Sequence, residues 1–142
     1  MSTPSSPVTV EQLQGWADDS PFIAFCQMTV ESLDAERGIV EIKMPLIDAL
    51  SRGGAHRMFH GGPVASLIDT AGDFAVAAMV GGGVPTMNFR VDYLRPSSGQ
   101  YLIARATARR VGRTVGVADV DVFDDQGRLT AIGRGCYSAI PG

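Results

Sequence analysis

The chain has 142 residues, of which 45% are hydrophobic and 19% charged. That length suits one domain with a core of its own and no need for a disulfide or metal staple, and the apolar content excludes an intrinsically disordered chain. A net charge of −3, from 12 basic and 15 acidic residues with no basic cluster, argues against a nucleic-acid partner.

The opening MSTPSSPVT lacks the basic and apolar regions of a signal peptide and reads as a leader. Thr9 and Gln12 have the spacing of a capping box and open a short helix reaching about Trp16, which Pro21 prevents from continuing. Residues 1–20 therefore stand ahead of a single domain over residues 21–142. Residues 22–33 and 38–44 read as two strands. In the second, Val40, Ile42 and Met44 share one face, with Ile39, Glu41 and Lys43 on the other. A loop carrying Gly53, Gly54, His56 and His60 follows.

Residues 61–80 read as a helix. Pro63 fits its first turn, where a missing N–H is no loss. Val64, Leu67, Ile68, Ala71, Ala75, Ala78 and Met79 recur at helical spacing, and Gly81, Gly82 and Gly83 stop it. Asp69 and Asp73 in the middle of this apolar run argue against a membrane span. Everything after it alternates with period two. Between residues 86 and 94, Met87, Phe89, Val91 and Tyr93 share one face, and Thr86, Asn88, Arg90 and Asp92 the other. Later strands put Leu102, Ala104, Ala106 and Ala108, then Gly116, Ala118, Val120 and Val122, then Ala131, Gly133, Gly135 and Tyr137 on single faces.

Glycine accounts for 17 of the 142 residues. Gly and Ala on one face of several strands let a sheet curl tightly around a thick element. One small-residue helix, with two strands before it and four after, is the element to wrap. The expected fold is α+β, a curved antiparallel sheet around one long central helix. Two such sheets meeting edge to edge would protect their edge strands, and a mean hydropathy of +0.11 also points to surface hidden in an oligomer. Cys26 and Cys136 lie far apart without metal-ligand spacing, as expected of two thiols in a reducing cytoplasm.

The chemistry concentrates where loop meets helix. Gly61 and Gly62 expose backbone N–H groups that have no intrahelical partner, at the positive end of the helix dipole. Such a place suits a carbonyl oxygen gaining negative charge. A glycine turn that merely enters the helix would look the same. Asp69 adds to the case, because a carboxylate in a largely apolar helix is costly to bury unless it is paired or used. Asp73, four residues on, reads as the more solvated of the two; repulsion between them raises the pKa of the more buried carboxylate and suits it to act as base or nucleophile. Eight residues separate Gly61 from Asp69, roughly 12 Å along a helix. One carbonyl cannot reach both. If both act, Asp69 must come from a second chain, across two antiparallel helices related by a two-fold axis.

This order of elements, with His60-Gly61-Gly62 leading into Ser66-Leu67-Ile68-Asp69-Thr70-Ala71-Gly72, resembles the hotdog-fold thioesterases of the PaaI-like and 4-hydroxybenzoyl-CoA thioesterase branch. The turns Tyr93 to Pro96 and Gly112-Arg113 fit the same resemblance. It implies hydrolysis of acyl-CoA thioesters, with no cofactor or metal, in a homodimer with shared active sites, commonly a dimer of dimers. It also implies that Gly61 donates its N–H to the thioester carbonyl, that Asp69 of the facing subunit attacks or activates water, and that Thr86 positions that water. Arg113 and Arg95 would lie near the CoA phosphates, with Gly62 and His60 at the helix start and His60 chiefly bonding backbone. Many relatives carry an asparagine where this chain has Gly54; His56 is expected to supply the missing polar group. Hotdog domains also host dehydratases and hydratases, but the His–Asp or His–Glu pairing of those enzymes is not found here. The competing reading is a non-catalytic acyl-CoA binding or sensor module.

Overall fold

The computed structural model describes residues 6–55 and 57–142. The first residues of the expected leader and the role expected of His56 lie outside the described residues. The capping box forms: Gln12 N–H donates to the Thr9 hydroxyl oxygen, and Thr9 N–H to the Gln12 side chain. The helix it opens, α1 (Val10–Asp19), runs past the expected Trp16.

Pro21 does more than end that helix. Ser20 closes α1 and its hydroxyl oxygen accepts the Ile23 N–H, so Pro21 takes the first position of a second helix, α2 (Pro21–Phe25). Proline there forfeits no hydrogen bond. The strand expected from residue 22 consequently begins later, as β1 (Thr29–Asp34).

Gly38, at a φ of +66° under Met79 and Ala108, turns the chain into β2 (Ile39–Pro45), where Val40, Ile42 and Met44 are buried as expected. A 3-10 turn (Asp48–Leu50) interrupts the following loop. The central helix α3 spans Gly61–Val80 and ends at Gly81, whose φ of 88° closes it in the left-handed region. Four strands follow, β3 (Thr86–Tyr93), β4 (Tyr101–Val111), β5 (Val115–Asp124) and β6 (Leu129–Ser138). The sheet is six-stranded and antiparallel throughout, in the order β1-β2-β4-β5-β6-β3.

The sheet's concave face wraps α3. A Cβ at Gly116 would lie 2.7 Å from Val76, and one at Gly133 would lie 2.6 Å from Ile68, so these glycines admit the helix as expected. Leu67 and Ile68 are fully buried beneath it, each contributing about 2 kcal/mol of burial. Among the described residues α3 is the one helix long and apolar enough to cross a membrane, and here it is the core of the sheet. Its remaining stripe, Gly62, Ala65, Ser66, Asp69 and Asp73, stays partly or fully open. Thus the helix buries three sides and offers a fourth.

Candidate active site

Asp69 sits half-buried on that open stripe. Thr86 Oγ1 donates to Asp69 Oδ1 at 2.7 Å. The contact depends on a correction to the expected strand pattern. Strict alternation puts Thr86 with Asn88, Arg90 and Asp92, away from the helix. In register, Thr86 pairs with Tyr137 and Asn88 with Cys136, so an extra residue intervenes on β3. This bulge returns Thr86 to the concave face, shared with Phe89, Val91 and Tyr93. Without it, the hydroxyl would point outward.

Burial raises the pKa of Asp69, and the Thr86 hydrogen bond opposes the rise. Asp73, expected to be the more solvated, is instead displaced to about 7 by burial and by the Asp69 charge, with the Val84 backbone opposing. The expected repulsion is therefore present, but Asp73 feels it in addition to deeper burial. Sequence spacing showed the pair; the segment carrying Val84, which folds back beside Asp73, was not visible in it.

Gly61 opens α3 eight residues upstream, roughly 12 Å along the axis at the helical rise. The Tyr93 hydroxyl donates to the Gly61 carbonyl at 2.7 Å, tying the helix start to the far end of β3. Beside it lies a cleft of about 400 Å³ lined by Arg52, Phe59, His60, Gly61, Tyr93 and Arg95 among others. Gly62 is open to solvent, with nothing near where its Cβ would stand. His60 precedes the helix as its N-cap but makes no side-chain capping bond, and its backbone N–H donates to the Leu50 carbonyl. Its expected ring-to-backbone bond is not found among the described residues, and the exposed His60 lines the cleft.

Arg95 follows β3 at the Gly61 end. Arg113 is exposed at the β4–β5 hairpin, beside the strand ends that carry Thr86, as the pairing of Val115 with Ser138 shows. Within one chain the two arginines stand at opposite ends of β3, so they do not form one cluster. Arg52 was missed by sequence reasoning: nothing in a glycine-rich loop marks it until the loop folds against the helix start. A cleft of about 490 Å³ also opens on the convex face, between Asn88, Arg90, Asp119 and Arg134. It lies on the opposite side of the sheet from Asp69. Among the described residues no group of three His, Cys, Asp or Glu is placed to hold a metal.

A long central α3 wrapped by one curved, six-stranded antiparallel sheet defines a hotdog-fold protein. The model of the thioesterase superfamily matches residues 56–131, and the chain belongs to that family. It is 38% identical over 136 residues to a candidate esterase of Halobacterium salinarum, covering 88% of each protein. It is 29% identical over 114 residues to the acyl-coenzyme A thioesterase PaaI of Escherichia coli, covering 80% of this chain and 79% of that one. The crystal structure of a thioesterase family protein from Silicibacter pomeroyi superposes with a TM-score of 0.80 at 28% identity, over 92% of this chain and 96% of that one. The fold and family expected from the sequence are thus both found.

Proposed function

We propose that this thioesterase hydrolyses acyl-CoA thioesters to free acid and CoA, in a homodimer whose two sites each draw on both chains. The observation that carries the reading is the Thr86–Asp69 hydrogen bond on the open stripe of α3, with the Gly61 amide too distant along the same helix to serve the same carbonyl. Among the described residues β3 pairs with β6 alone, leaving its other edge free beside that stripe. A two-fold pairing of β3 edges lays two α3 helices side by side in opposite directions and brings Asp69 of one chain toward Gly61 of its partner.

In such a site the Gly61 N–H donates to the thioester oxygen as negative charge develops on it. The carbonyl carbon is attacked either by Asp69 itself or by water that gives its proton to Asp69. Thr86 occupies Oδ1, leaving Oδ2 to react. Collapse of the intermediate expels CoA as its thiolate, which takes up a proton; in the first case water then cleaves the acyl-aspartyl anhydride. Burial favours either role, because a carboxylate with a raised pKa is the stronger base and nucleophile.

Arg52 and Arg95 enter none of the ion pairs among the described residues, which suits the cleft to the phosphates of CoA. Arg113, at the other end of β3, reaches the same substrate from the partner chain in this arrangement. The resemblance extends the assembly to a dimer of dimers, and two free cysteines suit a reducing cytoplasm.

The test is free-thiol release from a panel of aliphatic and aromatic acyl-CoA esters by wild type and Asp69→Asn. The variant is expected to lose at least a hundredfold in kcat, the scale of a missing general base or nucleophile. Binding without turnover by the wild type would instead assign an acyl-CoA sensor.

A further inference from the structure

Tyr137 takes no part in the chemistry above, yet it is wholly buried and its hydroxyl ends on the reactive turn of α3. The side chain leaves β6 on the concave face. Its path is open only because two residues lack a Cβ: one built on Gly135 or on Gly72 would collide with the hydroxyl. Through that slot the hydroxyl donates to the Asp69 carbonyl oxygen at 3.1 Å. In register Tyr137 stands opposite Thr86, whose own hydroxyl holds the Asp69 carboxylate. Neighbouring strands therefore grip one residue at two points, its backbone and its side chain.

Packing alone does not explain the phenol oxygen. Phenylalanine would fill the slot, whereas a buried hydroxyl is destabilising until it finds a partner. The partner found is a helix carbonyl, which retains a second lone pair after its usual i+4 bond. A bond there fixes the rotation and height of that helical turn against the sheet. Two glycines, one on each element, keep the slot open at the level of Asp69.

We infer that Tyr137 is a positioning residue for Asp69, holding the backbone from which the carboxylate reaches toward the substrate. The inference rests on the reading of Asp69 as the reacting carboxylate. Tyr137→Phe removes the oxygen and keeps the ring, and it is compared with Asp69→Asn in the same thiol-release assay, with kcat, KM and melting temperature measured for each. Small misplacements of reacting groups are amplified in rate. The expected result is a kcat lower by about tenfold, KM unchanged, and a melting temperature within about 5 °C of wild type.

If Asp69→Asn is inactive while Tyr137→Phe keeps its kcat, the positioning role is overturned and the reading of Asp69 stands. Full activity in Asp69→Asn overturns both. A Tyr137→Phe protein that fails to fold, or whose kcat falls only together with its melting temperature, assigns Tyr137 to packing and overturns the inference.

Discussion

The two edges of the sheet are built in opposite ways. At one, β1 is bulged between Val30 and Ser32 and carries exposed Glu31. Helix α1 lies along it, and Gln14 takes up the backbone that an incoming strand would need: its side-chain oxygen accepts from Val30 N–H at 2.7 Å, and its amide donates to the Met28 carbonyl at 3.3 Å. At the other edge β3 has no such cover among the described residues, and Met87, Phe89 and Tyr93 are 59%, 39% and 53% exposed. An edge with apolar side chains and unpaired backbone is a hazard in a monomer. One edge has been closed and the other left open, and the open one adjoins Asp69. The fold is thus asymmetric in what it protects, and the unprotected side is the one to which the proposed pairing assigns a second copy.

The severest way to break this contrast is to charge the open edge. Phe89→Lys is expected to halve the mass measured by light scattering or sedimentation and to reduce thioester hydrolysis by at least a hundredfold, because a site divided between chains is lost with the pairing. A dimer of unchanged mass with full activity would put the interface elsewhere. A gentler test leaves pairing intact. Gly61→Val and Asp69→Asn homodimers are each expected to be inactive, while chains mixed through denaturation and refolding should recover about a quarter of wild-type activity, from the one complete site in each mixed dimer. No recovery would mean that Gly61 and Asp69 serve one chain.

The closed edge offers the third test. Gln14→Ala uncovers the Val30 N–H and the Met28 carbonyl, and is expected to lower stability by about 1–2 kcal/mol in urea unfolding, with kcat unchanged. A rise in mass for this variant would show that Gln14 also blocks association.

The same contrast explains what could be read from the sequence. The buried faces of β2, β4 and β5 and both ends of α3 follow from period and from glycine or capping signals, because one face of each element meets the core. The open edge has weaker patterning, and there the structure departs from the period. A period of two carries no sign of the bulge that turns Thr86 inward, since the extra residue, Met87, keeps the apolar–polar alternation of Thr86, Met87 and Asn88 unbroken. Near the N-terminus, Pro21 reads from the sequence only as a stop, although a serine before proline, as at Ser20, also starts helices. The apolar run from Phe22 to Cys26 is too short for its period to decide between strand and helix. In the sequence Tyr93 belongs to a turn motif, but its bond to Gly61 spans residues brought together only by the curl of the sheet.

The smallest expected effect concerns Asp73, on the stripe that the open edge exposes. Its pKa is raised to about 7 in the folded chain, against 3.8 as the ordinary value. At low pH the carboxyl is protonated in both folded and unfolded states and contributes nothing to the balance between them. As pH rises above about 4 the unfolded chain releases this proton while the folded chain retains it, so folding becomes progressively less favourable until about pH 7, where the penalty is fully developed. Asp73→Asn removes the ionisation and keeps a side chain of similar size. The variant is therefore expected to melt a few degrees above wild type at pH 8, with the difference shrinking toward pH 4, as differential scanning calorimetry can measure. The proposed pairing through the β3 edge would cover the stripe further and deepen desolvation, so the gain is expected to be larger in the wild-type background than in the Phe89→Lys background. An equal gain in both would show that the second copy leaves this stripe uncovered.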